Sequence, residues 1–217
     1  VAGGHMTDPT KDSNYSSVIT LRGLRLAIFL AELNGLEVYA ADISSAYLEA
    51  YTCEKVCFIA GGEFGELADH ILVIVKALYG LRTSGAQFRA KLATSLRTMG
   101  FFPCKSEPDI WLRDKGDHYE YICTWVDDLA ICSKNPTAIT DELADPDGEH
   151  RYKFGNSIGP INYHLGGNFA RDKDGTLAYS AETYVKRMVE MLLRRRLFGG
   201  CRRGQTASRQ QADEEQQ

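Results

Sequence analysis

No apolar run in this chain approaches the roughly 20 residues that a membrane-spanning helix needs. The opening Val1-Ala2-Gly3-Gly4-His5 carries neither the charged nor the apolar region of a secretory signal. Together these absences point to an intracellular protein of cytoplasm or nucleus, with no membrane partner. Cysteine is sparse, with six residues at 53, 57, 104, 123, 132 and 201. Cys53 and Cys57 lie four apart, but neither a second close pair nor a His cluster completes a zinc site. The thiols therefore read as reduced and mostly buried. Neither sign of charge dominates: 25 Lys and Arg stand against 29 Asp and Glu, a net charge of −4. A free-standing nucleic-acid binder would carry a basic excess, so any strand-binding groove here must be locally basic. There is no internal repeat.

What is present suffices for a core. At 217 residues and 44% hydrophobic, the chain forms one domain, with room for a small lobe. Val18, Leu21, Leu24, Ile28, Ala31 and Leu33 recur at helical spacing, and Asn34-Gly35 is a natural stop. Leu36 to Ile43 reads as a strand ending in a carboxylate, and Lys55 to Ala60 as a second. Ile71 to Val75 is apolar and β-branched, which predicts a buried strand. Ser84 with Gln87 three residues on suggests a capping box. Phe88, Leu92, Leu96 and Met99 then form one apolar stripe, ended by Gly100 and Pro103. Strands follow over 110–113 and 119–133, and a short helix over 137–143. A hairpin is expected from 163–169 and 176–180, then a last helix over 184–196. The Arg- and Gln-rich stretch 194–217 has no apolar periodicity and reads as disordered. The order of elements predicts an α+β fold, an antiparallel sheet backed by helices.

The chemistry concentrates in Tyr121-Ile-Cys-Thr-Trp-Val-Asp127-Asp128-Leu-Ala-Ile-Cys132, where two adjacent carboxylates interrupt an apolar strand pattern. Buried side by side they repel each other and suffer desolvation unless a cation compensates them. A tight hairpin with the pair at its tip suits a metal-binding cleft; a solvated β-turn suits the same residues. Asp42, closing its own strand, separates the two readings, because only a metal site needs it beside Asp127. Oxygen-only ligands of this kind suit Mg²⁺. Two such ions about 4 Å apart activate a hydroxyl and stabilise a phosphate leaving group.

A series of motifs in fixed order completes the reading. They are Asp42…Ala46-Tyr47-Leu48, Glu54-Lys55-Val56, Lys76-Ala77-Leu78-Tyr79-Gly80-Leu81, Gly100-Phe101, Glu107-Pro108-Asp109, Trp125-Val126-Asp127-Asp128 and Gly159-Pro160…His164-Leu165-Gly166. In this order, from about Val1 to Leu193, the chain resembles the copia-type retrotransposon reverse transcriptases. The resemblance implies a polymerase palm-like sheet with partial fingers. Residues 1–35 would be partial fingers and first helix, and 36–193 the palm, with a fingers insertion around 54–100. It implies RNA-directed DNA polymerase activity on a primed RNA or DNA template with dNTPs and Mg²⁺ or Mn²⁺. Asp42 and Asp127 would be the principal metal ligands and Asp128 an auxiliary one. Tyr47 would pack under the incoming sugar and reject a 2′-hydroxyl; a core tyrosine is the plainer alternative. Thr83 stands where a nucleotide-contacting glutamine is expected, with Gln87 and Phe88 near the places of an Arg and a Trp. Lys153 would lie near the leaving phosphate, or be a solvated charge. His164, Leu165 and Gly166 would lie in the hairpin that grips the primer end. Arg22 and Arg25 read as a solvated helix face. Integrase, protease and RNase H signatures are missing, and a catalytically inactive relic with weak nucleic-acid binding is the alternative function.

Overall fold

The computed structural model describes residues 3–4, 13–148, 150–155 and 158–199, with side chains as far as Arg194. They divide into two compact units, one ending at Ile161 and one beginning at Asn162.

The first unit opens with α1 (Leu21–Leu33), capped by Thr20, whose hydroxyl oxygen accepts from the Gly23 N–H at 3.0 Å. Leu24, Ala27, Ile28 and Ala31 bury its inner face. The helix ends as its Asn-Gly pair predicts. Gly35 takes φ +61°, its N–H donating to the Glu32 carbonyl and that of Leu36 to the Ala31 carbonyl. A side chain at Gly35 would be strained there, which is why glycine ends the helix. Strand β1 (Glu37–Asp42) and the short α2 (Ala46–Glu49) follow. The chain then forms β2 (Cys57–Ile59), a 3₁₀ turn over Gly62–Leu67, β3 (Ile71–Val73) and α3 (Ser84–Thr98). Next come β4 (Phe102–Pro103), β5 (Ile110–Asp114), β6 (Tyr119–Trp125), β7 (Asp128–Ser133), α4 (Pro136–Ala144) and β8 (Gly159–Pro160).

Six of these strands make one antiparallel sheet in the order β4-β5-β6-β7-β1-β8. Side chains alternate faces along each strand. One set, Ala41, Ile43, Ile122, Leu129 and Ile131, packs with Phe88, Leu92 and Leu96 of α3 and Ile139 and Leu143 of α4. The α3 stripe expected from its spacing is buried throughout, Met99 included. The other set, with Val38, Cys123, Ala130 and Cys132, is buried on the opposite face, where α1 crosses β1, β6 and β7.

Three expectations are corrected. The run beginning at Ile71 is a strand but not a buried one: Ile71 is 70% and Val73 67% exposed. It pairs with β2 in a two-stranded ribbon of its own, outside the six-stranded sheet, so neither neighbour nor helix covers it. No capping box forms at α3, because Ser84 Oγ donates to the Leu78 carbonyl and Thr83 is the N-cap. The cysteines divide: Cys123 and Cys132 are buried and Cys104 half-buried, while Cys53 and Cys57 are exposed. Cys201 lies outside the described residues.

The second unit pairs β9 (Tyr163–His164), β10 (Gly167–Arg171) and β11 (Leu177–Ser180) and adds α5 (Glu182–Gly199). The expected single strand from 163 is therefore two, turned at Leu165 and Gly166, which have φ +48° and +81°. Positive φ at both residues of a two-residue connection is the type I′ pattern, whose twist matches that of the flanking strands. Helix α5 also continues past 194, where disorder was expected, as far as Gly199; the remaining tail lies outside the described residues.

Candidate catalytic site

Asp42 is the last residue of β1 and Asp128 the first of β7, and they are direct cross-strand partners. Directly opposed residues leave a sheet on the same face with Cβ atoms about 5 Å apart. Trp125 pairs with Asp128 across β6 and β7, so Val126 and Asp127 form the hairpin tip. The Ile43 N–H donates to the Asp127 carbonyl at 2.9 Å, fastening that tip to the end of β1. Thus Asp42 and Asp127, 85 positions apart in the sequence, are brought together by the β1–β7 register and this hydrogen bond. Val126 takes φ +55°, a region that a β-branched residue occupies at a cost of order 1–3 kcal/mol. The surrounding strand pairing over-determines it.

Charge at this corner is unbalanced. Partial burial, then the neighbouring Asp127, raises the Asp42 carboxyl above its ordinary value. Burial, then Asp127 and Asp42, does the same to Asp128. Among the described residues none of the three has an ion-pair partner. Nor, among those residues, do three or more His, Cys, Asp or Glu side chains close into a ready-made metal cage.

Two tyrosines stand beside the carboxylates. Tyr47, on α2, packs against Phe88 at 6.3 Å and Tyr79 at 4.6 Å between ring centroids. Burial, then the Asp127 charge, raises both phenols. Tyr79 was not singled out from the sequence. Its place within Lys-Ala-Leu-Tyr-Gly-Leu was the available signal, but contact with Tyr47 spans 32 residues and depends on the loop preceding α3.

A family profile described as reverse transcriptase (RNA-dependent DNA polymerase) matches residues 1–194. The chain belongs to the reverse transcriptase family. It is 24% identical over 184 residues to the retrovirus-related Pol polyprotein from transposon TNT 1-94 of Nicotiana tabacum, covering 82% of this chain and 14% of that protein. It is also 24% identical over 147 residues to the Pol polyprotein from transposon RE1 of Arabidopsis thaliana, covering 66% and 10%. The retrotransposon kinship read from the motifs is borne out, and the chain spans a small part of those polyproteins. No solved structure matches.

The remaining positions of this reverse transcriptase chain fall as follows. Lys153 is exposed, and its carbonyl accepts from the Ser44 N–H at 2.7 Å. Phe154 bridges Ile43, and the Gly155 N–H donates to the Asp42 carbonyl at 3.1 Å. The segment carrying Lys153 therefore runs along the side of β1 away from β7, beside Asp42. Thr83 is fully buried: its N–H and hydroxyl both donate to Glu54 Oε1, at 2.8 and 2.7 Å. That hydroxyl also accepts from Cys53. Arg89 donates to Asp109 Oδ1 at 2.8 Å, and the Asp109 carbonyl accepts from the Thr124 N–H. This pair, unmarked by the sequence reading, ties α3 to the strand that leads into the hairpin.

His164 belongs to the second unit. It is buried, its Nε2 has no hydrogen-bond partner, and burial lowers its pKa to about 4. Leu165 and Gly166 form the tight turn after it. Gly167 leaves no room for a side chain, since a Cβ there would lie 1.9 Å from the Tyr179 ring. No helix among the described residues is long and apolar enough to cross a membrane.

Proposed function

We propose that this chain is the palm-centred part of an RNA-directed DNA polymerase, joining a dNTP to a primer 3′-hydroxyl by two-metal nucleotidyl transfer. The observation that carries the reading is the cross-strand pairing of Asp42 with Asp128, with Asp127 beside them at the hairpin tip and no Lys or Arg ion-paired to any of the three among the described residues. Carboxylates that raise one another are suited to divalent cations. Mg²⁺ asks for one or two of them and fills its shell with water and phosphate, so a ready-made cage of three is not required.

Asp42 and Asp127 would be the principal ligands of the metal, with Asp128 an auxiliary one. Bound there, Mg²⁺ or Mn²⁺ would lower the pKa of the primer hydroxyl and neutralise charge on the departing pyrophosphate. The protein's own part is positional. Tyr47, wedged between Tyr79 and Phe88, offers a fixed ring edge that excludes a ribose 2′-hydroxyl. Lys153, on the segment beside Asp42, reaches for the leaving phosphate. Thr83 acts at one remove, holding the loop before α3 through Glu54. The His164-Leu165-Gly166 turn is assigned to the primer end, where its bare backbone admits a phosphate. In domain terms, 36–193 would be palm with a fingers insertion around 54–100, and 1–35 would contribute partial fingers and the first helix. The compartment is intracellular, and the template partner is a primed RNA or DNA strand.

A second reading, an inactive relic, draws on the buried Thr83 standing where a nucleotide-contacting glutamine is expected. Primer extension on poly(rA)/oligo(dT) with Mg²⁺ or Mn²⁺, wild type beside Asp127→Asn, decides between them. Extension by the wild type alone supports the polymerase. No extension from a cooperatively folded chain leaves the relic.

A further inference from the structure

An open cleft of about 800 Å³ lies along α2 and α3, and none of the three aspartates lines it. Its polar lining includes Tyr51, Lys76, Gln87, Lys91, His150 and Arg151. Three cations thus face a single carboxylate, Glu49, in a chain whose net charge is −4. Lys91 is committed to it: its Nζ lies 3.2 Å from Glu49 Oε2 and donates to the Glu49 carbonyl at 2.9 Å. Lys76 and Arg151 have no carboxylate partner among the described residues. Arg151 Nε donates to the Gly148 carbonyl at 3.0 Å, leaving the outer guanidinium nitrogens free of a carboxylate. Its backbone stands at φ +57°, held by the following Tyr152, which is buried with its hydroxyl 3.0 Å from Ser95 Oγ. Lys76 Nζ sits 4.2 Å over the Tyr51 ring, which remains 66% exposed.

We propose that this cleft binds a stretch of single-stranded nucleic acid, with Lys76 and Arg151 on successive phosphates and Tyr51 as a stacking platform. Among the described residues Lys76 Nζ donates only to the Glu49 carbonyl, at 3.5 Å. Cations without a carboxylate partner beside an exposed ring match a single strand, whose backbone is tracked by charge and whose bases present open faces. A duplex hides those faces. The choice of polymer rests on the polymerase reading; the cleft itself does not.

The test is fluorescence anisotropy of a labelled oligothymidylate titrated with the whole chain carrying Asp127→Asn, in EDTA, so that catalysis plays no part. Lys76→Gln with Arg151→Gln should weaken binding about tenfold near 0.1 M salt. The double variant should also reduce the log–log salt slope by about 1.4, two phosphate contacts at roughly 0.7 each. Tyr51→Ala should weaken binding about fivefold or more, while Lys76→Arg should retain it. The proposal is overturned if the parent chain does not bind, or if the folded double variant binds as the parent does. Displacement of the strand by an equimolar mononucleotide triphosphate would also overturn it, in favour of a nucleotide pocket. Loss of binding in the variants, where the wild-type chain with Asp127 intact fails to extend primers, keeps the cleft and sinks only the polymerase reading. Extension with unaltered variants does the reverse.

Discussion

At the scale of single residues, the carboxylate corner governs stability as well as chemistry. Asp42 and Asp128 hold protons more tightly folded than unfolded. Stability is therefore lost as pH rises from the ordinary value of 3.8 through their raised folded values, and the loss persists at neutrality. Asp128→Asn is expected to raise the metal-free melting temperature by about 2–4 °C at pH 7.5, and Mg²⁺ should raise that of the wild type more than that of the variant. A calorimetric scan with and without EDTA checks both. Val126 lies at the tip of the same hairpin, so Val126→Gly should relieve left-handed strain and leave the fold as stable or up to about 1 kcal/mol more so. Urea denaturation measures it; a loss above 1 kcal/mol would refute the strain. Thr83 tests the opposite case, a buried partner that Glu54 depends on. Thr83→Val removes a hydrogen bond from a buried carboxylate and should cost about 1–3 kcal/mol in the same assay.

Among elements, exposure separates two strands of similar composition. Ile71 and Val73 lie on the uncovered ribbon, and their change to Thr should move stability by about 0.5 kcal/mol or less. Ile131, fully buried in β7 between α3 and α4, should cost about 2–5 kcal/mol when changed to Ala. Comparable losses at both sites would mean that the ribbon is covered. The ends of α1 and α3 behave alike by contrast. Gly100, at φ +83°, closes α3 as Gly35 closes α1, with the Phe101 N–H donating to the Leu96 carbonyl.

For the molecule as a whole, the one strongly shifted histidine among the described residues, His164, belongs to the second unit, and a pH response is expected there. His164 takes a proton near 6.5 when unfolded and only near about 4 when folded. Stability present above pH 6.5 is therefore lost as pH falls through that window. Amide exchange should show β10 losing protection at pH 5 while β6 and β7 keep theirs, and His164→Leu should abolish the difference. Equal loss in both units would deny that His164 is the cause.

Sequence by itself determined what is local or periodic. The α3 stripe, the glycine helix stops, the carboxylate hairpin and the order of motifs are all written in spacing or in backbone preference. These made the family and the α+β class legible before any coordinates. Tertiary structure decided what depends on residues far apart in the chain. It set Asp42 opposite Asp128, turned Thr83 inward to Glu54, put Tyr79 against Tyr47 and left Lys76 and Arg151 in one cleft. It also left β3 uncovered, because hydrophobicity states what a strand prefers to bury against and not whether a neighbour reaches it. Register and long-range packing are properties of pairs, and a single chain of letters carries only one member of each pair at a time.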